Sequence, residues 1–167
     1  MAQGNNYNGF VVLKHGDTLW SNENIQVVSK DQFTYGGVKI NGKIYTIRQV
    51  KYVQKGNDEF YATNGGRIYP CIIKGKINVF QENWIIITGG ISREKTIHFI
   101  QKGLDGKLEK FTYKNLAKML EGNEKWLHKL DEYIDSDQTL SSYKKRNLPL
   151  LNFDFELIKQ YNDDETN

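Results

Sequence analysis

Side chains able to carry acid–base, nucleophilic or metal chemistry are few and scattered in this chain. Its three histidines, His15, His98 and His128, lie far apart in sequence and read as isolated, which points to no zinc site and to no cofactor. In the run Ile97-His98-Phe99 the histidine faces away from both neighbours, so a strand here predicts a solvent-side residue and not a catalytic base. The single Cys71, beside Ile72 and Ile73, reads as a small apolar strand residue, because reactive thiols need a basic, exposed setting. Gly16-Asp17-Thr18 lacks the further glycines and following helix of a phosphate loop, so Asp17 is expected in a turn. Asp58 and Glu59 are adjacent, which in a strand sends their carboxylates to opposite faces and argues against a carboxylate pair. Ser141-Ser142 has no nucleophile-elbow context. No catalytic residue is therefore assigned.

Aromatic side chains are the remaining functional lead, with three Trp, ten Tyr and eight Phe. An exposed row of them on a sheet stacks sugar rings or bases, and Trp20, Tyr45 and Tyr61 are the candidate ligand-binding residues. Core packing and cross-strand pairing are the competing roles for each. Trp20, beside a turn, is the better exposed candidate, whereas Trp84, next to Ile85-Ile86-Ile87, reads as core or interface in a segment of buried-strand length.

These residues must be positioned by a chain that builds antiparallel sheet for two-thirds of its length. Asn41-Gly42, Asn64-Gly65-Gly66 and Asp105-Gly106 stand between segments rich in Ile, Val, Tyr and Phe and read as hairpin corners, since a type I′ turn needs positive φ at both central residues. Alternation in 38–40 with 43–47, and in 96–100 with 107–111, is that of half-buried strands. Strands are also expected at 9–14, from Thr18, at 25–28, 33–35, 60–62, 67–73, 77–80 and 84–88. After Phe111 the period changes. Thr112 caps a predicted helix from Tyr113 to Glu121 that Gly122 ends, and Asn123 caps a second through Ile134 with Trp126, Leu127, Leu130, Tyr133 and Ile134 on one face. A short helical turn at 140–143 and a last helix at 153–161 complete the prediction.

With 167 residues the chain suits a single domain over 1–167, a β-rich part at 7–111 and a helical part at 112–162 packed on it. Net charge is +3 from 23 basic and 20 acidic residues without a long run of either sign, so nucleic acid is not the expected partner. Lys144-Lys145-Arg146 reads as a solvated helix or loop end, and Asp163-Asp164-Glu165 as a frayed tail. No window is long and apolar enough for a transmembrane segment. Met1-Ala2-Gln3 before Gly4-Asn5-Asn6 reads as a start methionine placed ahead of a mature N-terminus, an expectation of export.

Residues 9–20, Gly-Phe-Val-Val-Leu-Lys-His-Gly-Asp-Thr-Leu-Trp, resemble the opening of a broad group of small exported, largely uncharacterised proteins of Bacteroidetes-type bacteria, with a Gly-Asp-Thr turn near the mature N-terminus. Residues 72–80, 111–116 and 158–162 resemble that group's central hairpin, the start of its C-terminal helices and its closing segment. The resemblance implies export and fold, with a periplasmic, outer-membrane-associated or secreted location, and names no reaction.

The expected fold is α+β: a curled antiparallel β-meander or partly open barrel followed by short C-terminal helices. The expected function is a non-enzymatic cell-envelope or secreted binding module with a macromolecular partner, protein or glycan. A small-ligand or glycan binder using aromatic side chains on the curled sheet is the alternative, and a hydrolase the third.

Overall fold

Glycine and asparagine corners decide where the strands end in the computed structural model, which describes residues 7–29, 35–56, 59–104, 106–151 and 153–164. Readings made above on the first six residues, Phe33, Asp58, Asp105 and Glu165 fall outside the described residues, as does the side chain of Trp84. The chain divides into two compact units, Met1–Cys71 and Ile72–Asn167. Each is antiparallel in its sheet, and the strands do not close into a barrel. The class is α+β as expected.

The first unit contains β1 (Gly9–Leu13), β2 (Thr18–Ser21), β3 (Gln26–Ser29), β4 (Tyr35–Ile40), β5 (Lys43–Thr46), β6 (Val50–Lys55), β7 (Glu59–Asn64) and the start of β8 (Arg67–Ile73). They form two layers, β8-β7-β6-β1-β2 and β3-β4-β5. Val11, Leu13, Val50, Val53 and Ile68 of the first layer meet Ile25, Val38, Ile40 and Ile47 in one buried cluster. The corner between β4 and β5 is the predicted two-residue turn: Ile40 pairs with Lys43, Asn41 has φ 50° and Gly42 φ 75°. Gly9 shows why a side chain is excluded where β1 crosses β6, since a Cβ there would lie 2.3 Å from the Gln54 carbonyl oxygen.

In the second unit β9 (Ile77–Thr88) and β10 (Ile91–Lys102) form a twelve-rung hairpin closed by Gly89-Gly90. The strand expected at 107–111 is shorter than predicted. Only Glu109–Lys110, β11, pairs with β10, and the preceding segment is a loop drawn in by the buried Gln101, whose Nε2 donates to the carbonyls of Leu104 (3.1 Å) and Gly106 (2.6 Å).

Four helices follow: α1 (Tyr113–Met119), α2 (Glu124–Ser136), α3 (Gln138–Arg146) and α4 (Glu156–Asp163). Thr112 Oγ1 accepts from the Asn115 N–H at 3.3 Å and Asn123 Oδ1 from the Trp126 N–H at 3.3 Å, the two predicted caps. α3 is a full nine-residue helix and not the short turn expected, because Asp137 caps it through the N–H groups of Thr139 (2.7 Å) and Leu140 (3.0 Å). Leu116, Met119, Leu120, Trp126, Leu130, Ile134, Leu140 and Ile158 bury a common core with Ile77, Val79 and Ile100 of the hairpin.

The acidic tail is also corrected at Asp164. Its carboxylate accepts from the Trp126 indole N–H at 2.9 Å and from Lys125 Nζ at 2.8 Å, while its backbone carbonyl accepts from Lys76 Nζ. Asn162 adds a bidentate backbone grip, accepting from the Ile77 N–H at 2.8 Å and donating to its carbonyl at 2.9 Å. α4 is thereby pinned at its C-terminus to both α2 and the start of β9.

Two expectations follow. Gly42→Val should destabilise the fold by about 1 kcal/mol or more, read by chemical denaturation, because a β-branched residue resists positive φ; an unchanged midpoint would count against the turn. Trp126→Ala should cost about 3–5 kcal/mol for a ring this buried. Trp126→Phe, which keeps one aromatic ring and deletes the N–H that Asp164 accepts, should cost about 1–3 kcal/mol for the lost hydrogen bond, with the vacated ring volume adding to it. A Phe variant as stable as the parent would show that the hydrogen bond contributes nothing.

Candidate binding surface

Among the described residues the three histidines stand apart from one another. Among the described residues no three His, Cys, Asp or Glu side chains are placed to hold a metal ion. His15 lies 3.4 Å from Asp17 and His128 3.3 Å from Glu132, both as exposed pairs. His98 is not on the solvent side, as its sequence position suggested. It is half-buried, with its ring 4.9 Å from that of Phe155 and 6.5 Å from that of Phe111, because the helix-side face of β10 that it shares with Ile100 is covered by the C-terminal segment. Burial pulls its pKa below 6.5.

The densest polar cluster joins three helices. Asp131 Oδ1 accepts from Tyr113 Oη and from Lys144 Nζ, both at 2.7 Å, and Lys144 also reaches Asp135 at 3.2 Å. The hydrogen bond to Lys144 lowers the Asp131 pKa, and the same bond raises that of Lys144. A lysine prepared as nucleophile or base needs its pKa lowered, so this arrangement holds both groups charged and ties α1, α2 and α3 together. Lys144 is thus engaged in an ion pair, while Lys145 and Arg146 remain exposed in the last turn of α3.

The three aromatic candidates lie on both sheets of the first unit, Trp20 on β2 and Tyr61 on β7 of one, Tyr45 on β5 of the other. Trp20 is 49% exposed and stacks with Tyr7 (5.2 Å between centroids) and Phe10 (4.9 Å), its register partner on β1. Tyr45 and Tyr61 are half-buried against the core between the two layers. Lys43 Nζ lies 5.0 Å from the Tyr45 ring centre, and Tyr61 Oη donates to Glu59 Oε2 at 2.8 Å. The hydrogen bond from Lys55, then that from Tyr61, lowers the Glu59 pKa.

A second surface lies at the outer half of the β9–β10 hairpin. Ile85, Ile86, Ile87 and Ile91 are 58%, 42%, 72% and 59% exposed, which overturns the expectation of a buried strand at 84–88. Register explains why. Ile85 pairs with Glu94, Ile86 with Arg93, Ile87 with Ser92 and Thr88 with Ile91, and the two members of an antiparallel pair share a face. Glu94 therefore stands beside Ile85 on one face and Arg93 beside Ile86 on the other, so neither face is a core face. This signal was in the sequence: Gly89-Gly90 as a two-residue corner sets Ser92-Arg93-Glu94 directly across from the isoleucine run and Lys95 across from Trp84.

No protein-family model, curated protein or solved structure matches this chain. No helix among the described residues is long and apolar enough to cross a membrane.

His98 gives a testable pH effect. A histidine whose folded pKa lies below its unfolded value binds fewer protons when folded, so its neutral burial is free of penalty above pH 6.5 and stability falls as the pH drops from there through the lowered folded value. Denaturation midpoints between pH 7.5 and about 4.5 should fall less steeply for His98→Leu than for the parent across the window set by that histidine range. Parallel profiles would remove His98 as a contributor.

Proposed function

We propose that the protein is a non-enzymatic binding module that acts at the cell envelope or outside the cell. The observation that carries this reading is the arm formed by the outer half of β9–β10, where four isoleucines stand in solvent on a regular two-stranded scaffold. Fully burying one such side chain contributes about 1.5–3 kcal/mol, so the arm keeps an apolar gain that folding of the chain leaves unused. Exposed apolar side chains gathered at one end of a scaffold in this way support a contact site. The scattered acid–base groups support binding over catalysis.

The exposed Tyr7–Trp20–Phe10 cluster favours a second reading, a glycan binder that stacks sugar rings on Trp20.

Capture of binders from the native source, with Ile85→Ser/Ile87→Ser and Trp20→Ala as folded variants, separates the readings. The arm variant should lose capture while Trp20→Ala keeps it. The reverse pattern would move the site to the aromatic cluster. Saturable turnover in a hydrolase and transferase screen, abolished by changing one Asp, Glu, His or Ser, would overturn the non-enzymatic reading.

A further inference from the structure

We infer that the β9–β10 arm inserts its tip shallowly into a lipid surface bearing anionic headgroups; this names the partner of the arm and rests on the binding reading above. Three observations carry it. The first is that apolar side chains occupy both faces of the tip, Ile87 on one and Ile91 on the other, with Ile85 and Ile86 behind them at the level of Glu94 and Arg93. A flat protein partner covers one face of a two-stranded arm, whereas the boundary of a bilayer surrounds it.

The second is the order of charge along the arm. From Ile87 through Thr88, Gly89, Gly90 and Ile91 to Ser92 the tip carries no charge, and Arg93, Glu94 and Lys95 follow as an exposed belt behind it. Arg93 and Lys95 share a face and stand about 10 Å and about 16 Å behind Gly90 at ~3.3 Å per residue. Apolar elements lying in the interface reach about 5–10 Å, so the tip can enter the acyl boundary while the belt meets phosphates. Each basic residue near an anionic leaflet adds attraction, Glu94 offsets one of the two, and the chain's net charge of +3 works in the direction of the remainder.

The third is the backbone. The two-residue turn makes Thr88/Ile91 the closing hydrogen-bonded pair, so beyond the turn itself only Ile87 and Ser92 direct backbone groups outward in the tip. Deep insertion would strand the outward groups of later rungs in hydrocarbon, which limits the arm to the hydrated boundary. A second copy pairing along β10 in a register centred on its charged residues is opposed by charge. A two-fold antiparallel pair sets one residue opposite itself, and every register centred on Arg93, Glu94 or Lys95 puts a charge against its own kind.

Co-sedimentation with phosphatidylcholine vesicles, with and without phosphatidylserine, tests this in the full chain. The parent should sediment with the phosphatidylserine vesicles, and less so at about 1 M salt than at about 0.1 M, where the screening length is ~10 Å. Ile87→Ser/Ile91→Ser should lower binding about tenfold or more through lost apolar contact, with an unchanged melting temperature because both side chains are exposed. Arg93→Gln/Lys95→Gln should lose only the gain that phosphatidylserine confers. Ile44→Ser, at an exposed isoleucine of the first unit, should bind as the parent does. A parent that stays in the supernatant with both vesicles, or a tip variant that sediments undiminished, overturns the lipid inference. If vesicles fail while Ile85→Ser/Ile87→Ser still abolishes capture of another binder, the lipid inference falls and the binding module stands; loss of both removes both. A dimer by sedimentation velocity that the tip variant dissolves would overturn the lipid inference in favour of self-association.

Discussion

Paired residues of an antiparallel ladder project to the same face, and the second unit is organised by what this does to the twelve rungs of β9–β10. Fixed at one end by Gly89-Gly90, the register decides every cross-strand neighbour down to Ile77 and Lys102. At the inner end it aligns Val79 with Ile100, and these join the helical core. On the opposite face it aligns Asn78 with Gln101, two buried amides that hold the neighbouring loops: Asn78 accepts from the Gly75 N–H at 3.1 Å and donates to the Gly103 carbonyl at 2.8 Å. At the outer end the same rule mixes isoleucine with charge on both faces, and that half cannot be buried. One register thus produces a covered base and an uncovered arm.

The helices that cover the base are seven to thirteen residues long, too short to persist in water without tertiary contacts. Side-chain caps start three of them, and α4, which has no side-chain cap bond at its start, is held at its other end by Asn162 and Asp164. Asp131 and Lys144 add a tie between α2 and α3, but Asp131 is nearly half exposed, so solvent screening keeps the pair's net contribution small. Apolar burial by Leu130, Ile134 and Leu116 therefore carries the docking, and the charged groups fix its alignment.

How legible the molecule was depends on whether a feature is local. Asn41-Gly42, Thr112 and Asn123 state their own geometry, and the Trp126, Leu130 and Ile134 spacing states a buried stripe, so turn, caps and helix face were readable. His98 was misread because strand alternation separates two faces without saying which is covered, and Phe155, which covers it, comes 57 positions later in the chain. Asp164 was misread because its partners, Trp126 and Lys76, are reached only through the fold. For α3 a local cue existed: Asp137 closes α2 and caps the next helix, so the helical segment begins ahead of the turn expected at 140–143.

The isoleucine run is the instructive case, since composition pointed one way and pairing the other. Three consecutive isoleucines read as core when the strand is taken alone, yet a strand never occurs alone, and Arg93-Glu94-Lys95 was already assigned to it by the Gly-Gly corner. Those charges also restrain what exposed apolar strands otherwise do. Unpaired strand edges recruit further strands, and charged residues along an edge oppose that pairing. Along β10 the arm carries such charges on both faces just behind its tip, so that edge opposes pairing, whereas the facing length of β9 from Ile85 to Thr88 carries none. An element meant for the interior needs no such guard, and the charges along β10 mark the arm as an element that faces solvent.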